Sequence, residues 1–251
     1  MPGTILFIHG AMVNERSWDL MKAWYEGRGY RCQAPSWPER RAGLGLAELA
    51  DHYEAIVRLE AEPPVLVGHS FGGLLVQILL DRGHGQAGVA IAPAPPRGVF
   101  MLQPRAVRSA WPFISTWKGW NKLVPVRFEP FAAAFVHTLA PAQQRAVYDT
   151  YAVPLETGRP FFQTAFAMMD RNSPCRIDFA TQTRPPLLII AGAADRTVAA
   201  AAVRANYQRY AAGGPTTEYV EFPRRTHWII AQPGWEEVAS RIDQFIRAQA
   251  S

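Results

Sequence analysis

Short apolar segments alternate with segments of helical periodicity along most of the chain, and this alternation constrains the fold more than any other feature. The apolar segments are bounded by glycine, proline or charged residues, and they lie at 5–8, 65–67, 88–92, 187–190 and 217–222. Between them, apolar residues recur every three or four positions, as in helices that pack on one face. Strands that alternate with helices in this way predict an α/β fold with a mainly parallel sheet covered on both faces.

The alternation stops in the middle of the chain. The segment from about Pro93 to Arg184 contains no clear strand and is rich in proline and aromatic residues. We therefore predict a helical cap insertion at 93–184 in an α/β core formed by 1–92 and 185–251. The aromatic residues of the insertion include Trp111, Phe113, Trp117, Trp120, Phe128, Phe131, Phe135, Phe161, Phe162 and Phe166.

Length, charge and cysteine content exclude several classes of protein. The chain has 251 residues, 49% of them hydrophobic, which suits one main domain with a large core. Its formal net charge is +5, but lysine and arginine are spread along the chain, so we expect no nucleic-acid partner. The two cysteines, Cys32 and Cys175, are too far apart for a disulfide framework or a metal site, which predicts free thiols in a reducing compartment.

The sequence carries no signal for export or for a membrane. No basic and apolar leader precedes the first predicted strand, and no apolar run reaches the roughly 20 residues that span a bilayer. We expect a cytoplasmic protein with a small-molecule substrate, no membrane partner, no metal and no other cofactor. The sequence leaves a homodimer open.

Ser70 lies in the turn Gly68-His69-Ser70-Phe71-Gly72, which has the pattern G-x-S-x-G. A serine hydroxyl is a poor nucleophile at neutral pH, so an enzyme must expose it, place a base against it and stabilise the developing oxyanion. Roughly one chain of this length in twenty contains the pattern by chance, so its context matters. An apolar strand at 64–67 precedes it and an apolar helix at 74–80 follows, which predicts a catalytic serine rather than an exposed loop serine.

The chain resembles the α/β-hydrolase superfamily in four signals that follow one another along the sequence. These are His9-Gly10, the turn at 68–72, Asp195 and His227, so the order of the catalytic candidates is serine, acid, histidine. The resemblance covers nearly the whole chain. It implies a sheet of about six strands, because the chain starts on the strand before His9-Gly10 and lacks the two N-terminal strands of larger members.

The resemblance assigns a role to each matching residue. Asp195 follows a late strand and orients the base, and His227 follows the last strand as general base. The oxyanion donors are the backbone amides of Ala11 and Phe71, with Met12 as a weaker second choice. The alternatives are that Asp195 caps the following helix and that His227 is a packing or surface histidine.

In this superfamily, a segment with the size and position of the insertion forms a cap over the pocket at the strand ends. Its aromatic residues favour an apolar substrate portion, although any single ring packs more often than it contacts a substrate. The candidate substrate-binding residues are Met12, Trp18, Trp111, Trp117 and Trp228. An anionic substrate group could bind to the cations Arg105, Arg108, Lys118, Lys122 and Arg127, with solvated surface charge as the alternative.

The implied activity is that of a carboxylesterase-like serine hydrolase. It would cleave an ester or related acyl bond of a small, largely apolar substrate through an acyl-enzyme on Ser70. A hydroxynitrile lyase, a carbon–carbon bond hydrolase and a cofactor-free haloperoxidase are alternatives on the same scaffold. A serine in the turn argues against haloalkane dehalogenases and epoxide hydrolases, which use aspartate there. A receptor with slow turnover is less favoured, because all three triad positions are filled.

Overall fold

Parallel strands form the central sheet, in a computed structural model that describes residues 3–100, 110–210 and 214–249. The strands of the described residues are β1 Thr4–Ile8, β2 Arg31–Gln33, β3 Val65–His69, β4 Ala87–Ile91, β5 Leu123–Pro125, β6 Leu155–Thr157, β7 Leu187–Gly192 and β8 Thr217–Phe222. Six of them pair in the order β2-β1-β3-β4-β7-β8, and every neighbouring pair is parallel.

The four central strands are covered on both faces. All residues of β3, β4 and β7 are buried, and in β1 only Thr4 is partly exposed. Each buried valine, leucine or isoleucine contributes about 1.5–3 kcal/mol relative to exposure. The edge strands β2 and β8 are partly exposed instead. The predicted α/β fold with a six-stranded parallel sheet is confirmed.

Helices cover the sheet, and their burial follows the spacing of their apolar residues. In the last helix Val238, Ile242 and Phe245 are buried, whereas Glu236 and Glu237 are exposed. The helix after β3 is buried along almost its whole length. The helices with described bounds are α1 Asp19–Glu26, α2 Leu46–Val57, α3 Phe71–Asp81, α4 Phe128–Phe135, α5 Pro141–Tyr151, α6 Arg159–Ala165, α7 Ala200–Gln208 and α8 Glu236–Gln249.

The segment between β4 and β7 contains α4, α5 and α6, and it differs from the sequence expectation in one respect. We expected no strand there, but β5 and β6 pair as an antiparallel ribbon, with Val124 opposite Glu156. Each strand is only three residues long, so neither is long enough for an alternating pattern to be visible in the sequence. The division into a core and a cap at 93–184 stays a prediction.

None of the described helices combines the length and the apolar character needed to cross a bilayer.

Candidate active site

Ser70 forms a sharp turn between β3 and α3. Its backbone has φ 57° and ψ −120°, a conformation that costs a non-glycine residue on the order of 1–3 kcal/mol. Hydrogen bonds to β4 and to the segment after it hold this turn, since the Ser70 amide donates to the Ile91 carbonyl at 2.9 Å and the Ala94 amide donates to the Ser70 carbonyl at 3.0 Å. The turn thus sets the serine at the carboxyl end of the sheet in a strained geometry.

Gly68 and Gly72 allow this turn because backbone passes close to both. A Cβ on Gly68 would lie 2.1 Å from the Gly72 carbonyl oxygen, and a Cβ on Gly72 would lie 2.0 Å from that of Ile8. Both approaches are shorter than any real contact, and the neighbouring atoms are backbone atoms that cannot rotate away. The two glycines of the motif are therefore required by packing.

We expect Gly72→Ala to destabilise the fold by more than about 3 kcal/mol, because strand β1 would have to move to admit the methyl group. The melting temperature should fall by about 6–12 °C, measured by scanning calorimetry. Gly27→Ala is the matched control, since Gly27 has φ −61° and a Cβ there would lie 3.4 Å from its nearest neighbour. Equal melting temperatures for the two variants would contradict this account of the turn.

Asp195 and His227 form a buried pair. His227 Nδ1 lies 2.7 Å from Asp195 Oδ2, and neither side chain is exposed. Because a carboxylate can only accept, Nδ1 carries the proton of this bond and Nε2 is left with a lone pair in the neutral ring. The pair meets because Asp195 follows β7 and His227 follows β8, its parallel neighbour.

The second carboxylate oxygen of Asp195 bonds to the backbone of its own loop. Oδ1 accepts the amides of Thr197 and Val198 at 2.7 and 2.9 Å, which fixes the carboxylate in the loop before α7. Helix α7 itself is capped at Ala199, so Asp195 is not its N-cap residue. The alternative of a pure helix cap does not describe this carboxylate, which bonds to the histidine and to its own loop.

The second nitrogen of His227, Nε2, is buried. Among the described residues, the buried Nε2 has no hydrogen-bond partner, and the Ser70 hydroxyl is not bonded to it in this conformation. Catalytic hydrogen bonds of this kind often tighten only in the complex with substrate. The nitrogen is thus available to take a proton.

His69 connects the serine turn to the histidine loop. Its Nε2 donates to the His227 carbonyl oxygen at 2.8 Å, and the two rings lie 4.6 Å apart. Burial lowers the pKa of His69 well below its usual value, so the ring is neutral and serves as a tether. Sequence reasoning gave His69 no role, although its position beside the serine was the one available signal.

The loop from His9 to Met12 lies against the serine. A Cβ on Gly10 would lie 2.7 Å from the Cβ of Ser70, so the two backbones approach closely here. His9 holds this loop, since its Nδ1 donates to the Gly10 carbonyl at 2.8 Å and its Nε2 accepts from the Trp37 amide at 3.2 Å. Burial lowers the pKa of His9 to about 4, which suits a neutral ring with both nitrogens bonded.

The predicted oxyanion donors lie on the two elements that meet at the serine. Ala11 belongs to the His9 loop and is buried. Phe71 is the first residue of α3, where backbone amides lack intrahelical acceptors and attract negative charge. Met12 differs, because its amide donates to the buried carboxylate of Glu156 at 2.8 Å. The weaker candidate of the sequence analysis is thus engaged elsewhere.

A cavity of about 390 Å³ lies between the His9 loop and the insertion. Met12 forms part of its wall, and Ser70 does not. Arg127 is the charged residue among its described lining residues, whereas Lys118 and Lys122 do not line it, and Arg105 and Arg108 lie outside the described residues. The apolar part of the wall includes Pro112, Phe113, Val124, Val126, Phe131 and Ala134.

Of the five predicted substrate-binding residues, the structure brings only Met12 to this cavity. Trp18 is fully buried against Phe7 in the core, with ring centroids 4.9 Å apart, and does not line the cavity, so its contact with substrate stays a prediction. Trp228 is also buried, beside Tyr151. Trp111 and Trp117 are exposed and do not line the cavity. Aromatic content alone could not distinguish these environments.

Comparison with known proteins identifies the family. A profile of the Alpha/beta hydrolase family matches residues 5–241. The chain belongs to this family. The resemblance inferred from the four ordered signals is thereby confirmed. A search of curated proteins found no match.

Solved structures of this hydrolase fold align over almost the whole chain. A monoacylglycerol lipase from Paleococcus ferrophilus has a TM-score of 0.72 at 19% identity, over 99% of this chain and 96% of its own. An extracellular alpha/beta-hydrolase from a Paenibacillus species has 0.71 at 15%, over 97% and 98%. A pyrethroid hydrolase from Sphingobium faniae has 0.67 at 19%, over 100% and 99%. At these identities the similarity establishes a shared fold.

Proposed function

We propose that this hydrolase is a serine esterase that forms an acyl-enzyme on Ser70. The observation that carries the proposal is the buried His227–Asp195 pair, whose free Nε2 belongs to the loop tethered by His69 to the serine turn. A histidine held in one tautomer by a carboxylate, beside an activated serine, is the arrangement that acyl transfer requires.

In the first half-reaction, Ser70 Oγ adds to the ester carbonyl carbon and its proton passes to His227 Nε2. The Nδ1–H bond to Asp195 stabilises the imidazolium that forms. The carbonyl oxygen becomes an oxyanion, which the amides of Ala11 and Phe71 receive. The C–O bond to the leaving alcohol then breaks, and the alcohol takes the proton from His227.

In the second half-reaction, water attacks the acyl carbon of the ester on Ser70. His227 takes one proton of this water and afterwards returns it to Ser70 Oγ as the acid departs. No net proton remains on the enzyme at the end of the cycle. The reaction therefore needs no group beyond the residues named here.

We take the cavity as the substrate pocket because Met12, the residue after the proposed oxyanion donor Ala11, forms part of its wall. Its lining supports a small, largely apolar ester as substrate. Its volume lies at the lower end of the range for small-molecule sites, and its walls are mostly proline, valine, phenylalanine and methionine. Arg127 supplies a cation on this wall, so an acyl group with a distal carboxylate is a further candidate within this substrate class.

The similar folds support ester cleavage in general, since they include proteins described as a monoacylglycerol lipase and a pyrethroid hydrolase. Among the described residues of the site, no feature favours lyase, carbon–carbon hydrolase or haloperoxidase chemistry over ester hydrolysis. One similar structure is of an extracellular protein, so the fold is compatible with either location, and the cytoplasmic location stays a prediction.

A substrate panel tests the proposal. We expect hydrolysis of p-nitrophenyl esters from acetyl to dodecanoyl, with kcat/KM falling once the acyl chain outgrows the cavity, and a fluorophosphonate probe should label Ser70 by mass spectrometry. Lactones, amides and a cyanohydrin are tested beside the esters. Faster release of cyanide from the cyanohydrin than of nitrophenol from any ester, or labelling of another residue, would contradict it.

A further inference from the structure

Glu156 is a fully buried carboxylate at the middle of β6, in the insertion, and it reaches into the His9 loop. Its Oε2 accepts the Met12 amide at 2.8 Å, and its Oε1 accepts the Thr157 amide at 2.8 Å. The Arg40 guanidinium donates from Nε to the two oxygens at 3.3 and 3.2 Å. Among the described residues, all the hydrogen-bond partners of this carboxylate are therefore donors.

A buried charge of this kind is costly unless it is paired and fully hydrogen-bonded. Burial raises the pKa of Glu156, while the charge of Arg40 and the two amides oppose this shift. Arg40 also extends the network, since its Nη2 donates to the Val13 carbonyl at 3.0 Å. The pair thus holds two consecutive residues of the same loop, Met12 and Val13.

Backbone bonds join the same two segments. The Val153 amide donates to the Met12 carbonyl at 3.0 Å, the Asn14 amide donates to the Tyr151 carbonyl at 2.9 Å, and Val13 forms a bridge with Ala152. Met12 has φ 67°, a left-handed conformation that a non-glycine residue keeps only when its surroundings enforce it. Contacts from the insertion enforce it here.

These contacts bear directly on the Ala11 amide. The Ala11 N–H and the Gly10 carbonyl belong to one peptide group, whose carbonyl is held by His9. The following peptide group carries the Met12 N–H, which is held by Glu156. Ala11 therefore lies between two peptide planes that are fixed from opposite sides, one by the core and one by the insertion.

We propose that Glu156, paired with Arg40, is a positioning residue for the oxyanion hole. It holds the Met12 peptide so that the Ala11 amide keeps the orientation needed to receive the oxyanion, and it makes that orientation depend on the insertion being seated. The inference rests on the esterase function proposed above and assigns one part of its machinery.

The test uses Glu156→Gln, which preserves the shape of the side chain. Because all its described hydrogen-bond partners are donors, the amide NH₂ group of glutamine must face one of them, and the loop loses a fixed partner. We expect kcat for a p-nitrophenyl ester to fall by about 10–100-fold, somewhat less than the loss of an oxyanion donor itself, with KM changed less than twofold. Glu218→Gln is the matched control, because Glu218 pairs with Arg241 at the sheet edge and takes no part in the site.

Two inhibitors distinguish positioning from general damage. A trifluoromethyl ketone forms a hemiketal oxyanion with Ser70, whereas its carbinol analogue binds without forming one. In Glu156→Gln we expect Ki for the ketone to rise by the same factor by which kcat falls, while Ki for the carbinol stays constant. A parallel rise in both inhibition constants, or unchanged values in both, would overturn the assignment.

A second variant removes both charges of the pair together. Arg40→Met with Glu156→Leu leaves no lone buried charge, but it removes the acceptor of the Met12 and Thr157 amides. We expect the protein to stay folded with a lower melting temperature, because these buried amides lose their acceptor, and to show the low kcat and the raised ketone Ki. Natural values of kcat and ketone Ki in this double variant would overturn the inference.

The esterase function and the positioning role of Glu156 can be disproved by different results. If the natural protein hydrolyses no ester and does not bind the ketone, the esterase assignment itself is wrong, and this inference falls with it. If the natural protein does both and the Glu156 variants match it, only the positioning role is wrong.

Discussion

Replacing Ser70 with alanine is expected to lower kcat/KM for an activated ester by at least about 10⁴-fold, because it removes the oxygen on which the acyl-enzyme is proposed to form. The fluorophosphonate probe should no longer label the protein. The fold should persist, since the change removes one oxygen and leaves the backbone bonds of the turn to Ile91 and Ala94 in place. Steady-state hydrolysis of a p-nitrophenyl ester, with the melting temperature measured in parallel, checks this expectation.

Ser240→Ala is the control for this variant, because Ser240 lies half-buried in α8 and has no part in the site. It should keep the natural kcat/KM and the natural labelling by the probe. Turnover by Ser70→Ala within tenfold of the natural protein would show that another residue is the nucleophile. The esterase mechanism proposed here would then be lost, although the hydrolase fold would stand.

Asp195→Asn is expected to lower kcat by about 10⁴-fold while the protein stays folded. The asparagine carbonyl can still accept the Thr197 and Val198 amides, so the loop keeps its hydrogen bonds. The amide NH₂ group then faces His227 Nδ1 and donates to it. The proton of the neutral ring must move to Nε2, where it removes the lone pair that would activate Ser70.

Labelling by the probe and the melting temperature test this reasoning. Labelling of Ser70 should slow in proportion to kcat, and the melting temperature should change by only a few degrees. Asp149→Asn is the matched control, since Asp149 pairs with Arg145 on the exposed face of α5. If Asp195→Asn keeps the natural rate, this carboxylate only stabilises its own loop and does not orient His227.

The central sheet could be predicted because its strands are encoded locally. Buried parallel strands need continuous apolar runs, and the segments around β1, β3, β4 and β7 contain them between clear breaks. The ribbon of β5 and β6 could not be predicted in this way. Its strands have three residues each and depend on pairing across about thirty intervening residues, which leaves no local pattern.

The environments of the predicted substrate contacts could not be read from the sequence for a related reason. Trp18 and Trp111 have the same side chain, yet one is fully buried in the core and the other is 57% exposed. The identity of a residue fixes how much apolar surface it can bury, but its neighbours decide whether a cavity, another ring or solvent covers that surface. Of the five candidates, Met12 alone lies on the cavity.

By itself, the sequence determined the fold, the family and the place of the turn at Ser70, because strand periodicity and the pattern G-x-S-x-G are properties of neighbouring residues. Only the tertiary structure decided how Asp195 meets His227, how His69 tethers their loop and how Glu156 holds the Met12 amide. These contacts join residues from 32 to 158 positions apart. A single hydrogen bond at such a separation requires no pattern in the sequence, so it becomes visible only when the chain has folded.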